Sequence, residues 1–257
     1  MKLPKKIYLT RHLKSLGNFD RTQYNKFPDH QIPILSAFST QKLLDKDFWI
    51  QSRDDAEIAL KTSGIISVLQ DRYQNKPLDF KTSYYLRANQ TASLISDLIC
   101  EGPNNTLQIN NTTNFSDRLL HEICCKLNLT ETTEEYLDNL EKEQKEYGEY
   151  YYTWPGGESP VDHSQRVITW WNDFRLNHTL LTETPNDLLI VSHQGTIAHL
   201  LNTLVSNNPC VRNPYNYFTE RDFPNGSTVE LQLIEGTCFY THLKSYNPHK
   251  YYTERAD

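Results

Sequence analysis

The chain has 257 residues, with 26 Lys and Arg against 32 Asp and Glu, giving a formal net charge of −6. The acidic pI of about 5.9 argues against a broad nucleic-acid-binding face, which is usually basic. The mean hydropathy of −0.67 and the lack of any apolar run of about 18 residues exclude a spanning helix, so no membrane partner is expected. The length suits one large domain or two small ones, and 16 Tyr and 10 Phe are too much aromatic bulk for a disordered chain. Five Cys without a CxxC pair suggest neither zinc nor a disulfide framework, but reduced and mostly buried thiols. The opening MKLPKKIYLT has no apolar core of a leader and no cleavage site, so a cytoplasmic protein is expected.

In chain order, residues 6–10 (KIYLT) form a β-branched and aromatic run that reads as a buried first strand. Residues 19–57 are poorly periodic and read as a long excursion with at most short helices. Residues 58–74 carry Ile65, Ile66, Leu69 and Tyr73 at helical spacing, with Thr62 or Ser63 as cap. A second strand is expected over 78–84, and a strong helix over 86–100, striped by Leu94, Ile95, Leu98 and Ile99. Residues 102–115 read as loop with a short strand at 107–109, and 131–147 as a solvated, charged helix. A helix over 162–178 precedes the clearest strand, 187–192 (DLLIVS), whose unbroken apolar run suits a sheet covered on both faces. A helix over 197–205 and a strand pair, 228–234 and 237–243, turning at Glu235-Gly236, complete the chain. The alternation predicts a three-layer α/β/α sandwich with a mainly parallel central sheet.

Ligands bind such sheets at the carboxyl ends of the strands. His12 follows the first strand and His193 follows LLIVS, so both fall at that edge. Arg11 beside His12 can fork onto phosphate oxygens, and Gly17-Asn18 can add backbone and amide donors. Ser15 either hydrogen-bonds near the same anion or holds the turn. The other histidines (His30, His121, His163, His178, His199, His242 and His249) read as surface or packing residues, and the run Tyr150-Tyr151-Tyr152 with Trp154 reads as core and loop packing rather than a base-stacking platform.

These pieces resemble a family. Arg11-His12-Leu13-Lys14-Ser15-Leu16-Gly17-Asn18 resembles the RHGxSxxN signature of the histidine phosphatase superfamily, which has the phosphoglycerate mutase-like fold. In the family's order follow Leu60-Lys61-Thr62-Ser63-Gly64 (LTxxG), the stretch from Ser83 to Ala92 (SPLxRAxQTA) and His121-Glu122-Ile123 (xEI). Gly156-Gly157-Glu158-Ser159 with Arg166 is similar to GGES and its trailing Arg, Val191 to Ile197 to VSHGGxI, and Asn225-Gly226-Ser227 to a small polar motif before the last strands. Within the superfamily, YGEYYYTWPGGESPVD is similar to a stretch of broad-range acid phosphatases.

The resemblance implies one domain over 1–257, with an inserted loop or cap at about 19–57. It implies a metal-independent phosphatase without cofactor, acting on a small phosphorylated substrate or a phosphoprotein through a phosphohistidine. His12 would be the nucleophile. Arg11, Arg87 and His193 would surround the phosphoryl group, and Asn18 and Ser15 would add neutral donors. Glu122 would be the proton donor, with Asp117 and Glu101 as other acidic candidates, and Glu158 and Ser159 would cap the helix near Pro160. Leu13, Tyr84 and Gln194 depart from the pattern, standing where the family has glycine, proline and glycine. Two other activities fit the fold: phosphoglycerate mutase-type transfer, and a non-catalytic scaffold that binds phosphorylated ligands. Mutases carry Arg-His-Tyr-Gly after the acidic residue, whereas Ile123-Cys124-Cys125-Lys126 stands here. The sequence leaves the oligomeric state open.

Overall fold

The computed structural model describes residues 2–16, 31, 53–73, 76–101, 116–121, 134–148, 150–153, 155, 157–179, 185–205 and 223–248. Asn18, Glu122, Trp154, the expected strand at 107–109 and nearly all of the expected excursion lie outside these residues.

Six strands form one sheet in the order β3-β2-β4-β1-β5-β6. They are β1 (Lys6–Arg11), β2 (Leu78–Ser83), β3 (Ser116–Asp117), β4 (Asp187–Ser192), β5 (Thr228–Leu233) and β6 (Tyr240–Tyr246). The pairs β1/β4, β2/β4 and β2/β3 are parallel, and β1/β5 and β5/β6 are antiparallel. The sheet is therefore mainly parallel at its centre, as the alternating pattern predicts.

Six α-helices are described: α1 (Arg53–Ser63), α2 (Ile65–Tyr73), α3 (Leu86–Cys100), α4 (Glu134–Tyr147), α5 (Pro160–Thr179) and α6 (Gln194–Val205). Strand alternation sorts the core into two layers. Tyr8, Leu189 and Val191 point to the face covered by α2 and α3, where Leu69, Ile95 and Leu98 pack. Ile7, Leu9, Leu188 and Ile190 point to the other face, against Val167 and Trp171 of α5 and Leu200 and Leu204 of α6. With both faces covered, β4 has no solvent side, which is why its sequence does not alternate.

Several boundaries differ from the sequence reading. The helix expected after a cap at Thr62 or Ser63 is α2, and a separate helix, α1, precedes it, the two parted at Gly64, whose φ of +82 a helix cannot continue through. Ser63 ends α1 and serves α2, its hydroxyl accepting from the Ile65 amide at 3.3 Å. Helix α1 begins at Arg53, so residues 53–57 are not part of an excursion. The last strand runs three residues later than expected, with Leu233 opposite Tyr240. It is an edge strand whose interior residues 241–245 are exposed, so its sequence carries little burial signal. Cys100 is exposed at the end of α3, and Tyr151 is exposed as well, although Tyr152 is buried. As expected, α4 is solvated, with Leu140 as its buried side chain among those described. No helix among the described residues is long and apolar enough to cross a membrane.

At β5, the carboxylate of Glu230 accepts from Lys6 Nζ and Arg72 Nη1, both at 2.6 Å, and from the Tyr246 hydroxyl at 2.7 Å. Burial pushes the Glu230 carboxyl up, but the hydrogen bonds of Lys6, Tyr246 and Arg72 outweigh it and hold the pKa below the usual range. A carboxyl with a depressed pKa stabilises the fold above its unfolded pKa, and this contribution is lost as pH falls through the folded value. Glu230→Gln should lose about 2 kcal/mol at pH 7, with the gap to wild type closing toward pH 3. Chemical denaturation at both pH values checks this, and a pH-independent gap would mean that charge is not its source.

Candidate active site

The site is built from the carboxyl ends of β1, β2 and β4. Arg11 ends β1 and lies opposite Ser192, which ends β4. The next residue on each strand is a histidine. The amide of His12 donates to the Ser192 carbonyl at 2.9 Å, extending the pairing by one rung. The rings of His12 and His193 consequently lie 5.1 Å apart at 60°. Both side chains are buried.

A set of backbone contacts fixes His12. Its Nδ1–H donates to the Leu13 carbonyl at 2.6 Å, which leaves Nε2 with the lone pair. The Leu13 amide donates to Thr91 Oγ1 at 3.0 Å, and the Thr91 hydroxyl donates to the Arg87 carbonyl at 2.7 Å. From the other side, Asn225 Nδ2 donates to the His12 carbonyl at 3.0 Å. The Gly226 amide is shared by the carbonyls of Arg11 and His12. Leu13, which stands where the resembling family has glycine, packs fully buried in the core beneath the site.

Positive charge gathers around this ring. Arg11 is buried and donates from Nη1 to the Phe223 carbonyl at 2.8 Å. Arg87 lies in the first turn of α3, only 3% exposed. The helix dipole disfavours a cation there, whereas an anion beside it would be stabilised. Its guanidinium carbon sits 4.7 Å from the centre of the Tyr85 ring. Burial, followed by Arg87, His193 and Arg11, pushes His12 well below the ordinary histidine pKa, against the opposing effect of the Leu13 carbonyl. Burial, then Arg87 and His121, does the same to His193. Nε2 of His193 is hydrogen-bonded to Ser83 Oγ at 2.9 Å, tying the ends of β4 and β2 together.

The short segment before residue 122 is held by its carbonyls. Arg166 Nη1 donates to Leu119 O at 2.6 Å and to His121 O at 3.2 Å. Ser192 Oγ donates to Leu120 O at 2.6 Å, and Thr196 Oγ1 to His121 O at 2.8 Å. With the Thr196 proton so used, His163 Nε2 must be the donor in its 3.0 Å contact with Thr196 Oγ1. Arg166 is in turn gripped by both carboxylate oxygens of Glu158. Ser159 caps α5, exchanging hydrogen bonds with Asp162 three residues on. The expected capping thus holds for Ser159, while Glu158 serves Arg166.

The structure therefore brings Arg11, His12, Arg87 and His193 together, and places Ser15 buried close by in sequence. Asn18 and Glu122 lie outside the described residues, and the structure leaves their expected roles untouched. The sequence reading missed Ser83, Tyr85, Thr91, Ser192 and Asn225, which hold the two histidines, Arg87 and the backbone beside them. All five fall within the motif blocks, but nothing in the pattern announces which atom each one holds. His121, read as surface or packing, is half-buried against the site, stacked on Tyr85 at 6.0 Å and edge-on to Tyr84 at 5.4 Å. Among the described residues, no group of three or more His, Cys, Asp and Glu is arranged to hold a metal ion.

The contact with Leu13 fixes the tautomer of His12. Long-range 1H–15N spectra at pH 6 should show a neutral ring carrying its proton on Nδ1. A neutral ring with its proton on Nε2 would contradict the contact with Leu13, and an imidazolium at that pH would contradict the lowered pKa.

Comparison with known proteins agrees with this architecture. A phosphoglycerate mutase-like protein of Arabidopsis thaliana, AT74H, is 26% identical over 204 residues, 74% of this chain. The match spans 62% of that relative's length. The alpha-ribazole phosphatase of Shigella flexneri superposes with a TM-score of 0.59 at 17% identity, covering 95% of this chain and 96% of that one. A phosphoglycerate mutase of Bacillus anthracis str. Sterne superposes with a TM-score of 0.54 at 16% identity, covering 96% and 95%. At such identities the superpositions show the shared fold. The family model described as histidine phosphatase superfamily, branch 1, matches residues 45–244, a span that begins after the Arg11-His12 pair. With most of its length matched and the same central sheet, this chain belongs to the histidine phosphatase superfamily.

Proposed function

We propose that the protein is a metal-independent phosphatase that hydrolyses phosphomonoesters through a phosphohistidine at His12. The observation that carries the reading is the hydrogen bond from His12 Nδ1 to the Leu13 carbonyl. It presents the Nε2 lone pair beside His193 and two buried arginines. Nε2 attacks phosphorus, forming the P–N bond as the ester P–O bond breaks. Arg11, Arg87 and His193 offset charge on the equatorial oxygens, which is most of what catalysis of phosphoryl transfer requires. Asn18 and Ser15 add neutral donors. Glu122 gives its proton to the departing oxygen. It then takes one from the water that attacks phosphorus, and orthophosphate leaves as the P–N bond breaks. The clamp on residues 119–121 supports this role, because it fixes the chain up to the residue before Glu122. The absence of Arg-His-Tyr-Gly after Glu122 favours hydrolysis over mutase transfer. The intact set of Arg11, His12, Arg87 and His193 favours an enzyme over a scaffold.

His12→Ala should lower kcat on p-nitrophenyl phosphate by several orders of magnitude, roughly the effect of removing a covalent nucleophile elsewhere. Turnover near wild type would end the proposal, and loss of activity in EDTA would end its metal-independent form. Because burial and neighbouring cations lower the His12 pKa, the nucleophile stays neutral in mild acid. The acidic limb of kcat/KM should therefore lie below pH 6.5, the ordinary histidine value.

Glu122→Gln should slow alkyl phosphates far more than p-nitrophenyl phosphate, whose phenolate departs without a proton. It should also flatten the alkaline limb of kcat/KM. Equal losses on both substrates would move the acid to a neighbour such as Asp117.

A further inference from the structure

The cradle has a hub that carries no charge. Tyr85 is buried, and four groups lean on its ring. The Arg87 guanidinium lies over it at 4.7 Å, and His193 meets it edge-on at 4.9 Å. Tyr84 packs edge-on at 4.8 Å, and His121 stacks at 6.0 Å. Its backbone is equally committed. Tyr85 is the N-cap of α3, its carbonyl accepting from the amides of Ala88 and Asn89. A side-chain cap from Ser, Thr, Asp or Asn is what that position ordinarily favours, and the tyrosine makes none. The ring's work therefore lies elsewhere. In the SPLxRAxQTA pattern its position is that of an aliphatic leucine, which has no π face to offer a cation.

We propose that Tyr85 is a positioning residue that acts through Arg87. Its π face fixes the guanidinium two residues along, where the helix dipole alone would push a cation away. The inference rests on the phosphoryl cradle proposed above.

A double-mutant cycle separates the two ideas, read as the Kd for inorganic orthophosphate by calorimetry and as kcat/KM on p-nitrophenyl phosphate. Tyr85→Leu should weaken phosphate about tenfold, the scale of a desolvated cation–π contact. Tyr85→Phe, which keeps the ring, should stay within about threefold. In an Arg87→Ala background, Tyr85→Leu should change affinity less than about twofold, because the group it positions is gone. The same tenfold loss in both backgrounds, or a Phe variant as weak as the Leu variant, would overturn the role of Tyr85. An Arg87→Ala protein that binds phosphate as wild type would overturn the cradle itself, and the Tyr85 role with it. Should Tyr85→Leu fail to fold, mono-, di- and trifluorinated phenylalanine at position 85 preserve shape while draining the ring face. Phosphate affinity should then fall stepwise with fluorine, and a flat series would overturn the proposal.

Discussion

The parallel pairing of β1 with β4 sets where the chemistry sits. Arg11 and Ser192 face each other across that ladder, and each is followed by a histidine. The backbone bond from His12 to Ser192 carries the register one residue past the regular strands, so the imidazoles inherit their spacing from the sheet. A slip of one residue would invert every side chain of β1, exchanging Ile7 and Leu9 for Tyr8 between the two core layers. The hydrophobic layers and the histidine pair are therefore fixed by the same ladder, and neither can shift without the other.

Around that pair the protein maintains an arrangement that is unfavourable by itself. Two guanidinium groups and two imidazoles share a space with little exposure to water, and one guanidinium sits at the positive end of a helix dipole. The histidines respond by becoming harder to protonate. The arginines cannot respond that way, and their described contacts include a carbonyl of Phe223 for Arg11 and the ring of Tyr85 for Arg87. Under the proposed function, these are the side chains that a phosphoryl group meets.

Much of this was legible in the sequence because it rests on short-range signals. The apolar runs of β1 and β4, the stripe on α3 and the order of the motif blocks gave the sandwich and placed Arg11, His12, Arg87 and His193 at one edge. What escaped was set by contacts between distant segments or by single backbone angles. The break at Gly64 depends on one positive φ inside an otherwise helical pattern. Edge strand β6 buries too little for its sequence to mark its ends. His121 looked idle because its neighbours Tyr84 and Tyr85 lie far along the chain. Asn225 grips His12 from 213 positions away, a partnership that no window of sequence can display.

The described hydrogen bonds on the strap at residues 119–121 grasp its carbonyl oxygens, through Arg166, Ser192 and Thr196. A carbonyl is the same whatever side chain its residue bears. Evolution can therefore rewrite the letters of the strap, within what the packing of Leu120 and the ring contacts of His121 allow, while its path through space persists. Much of the heritable information for that path resides in helices α5 and α6 and the last residue of β4, outside the segment itself. A lineage exploring new substrates through this segment would change what it displays without changing where it is displayed.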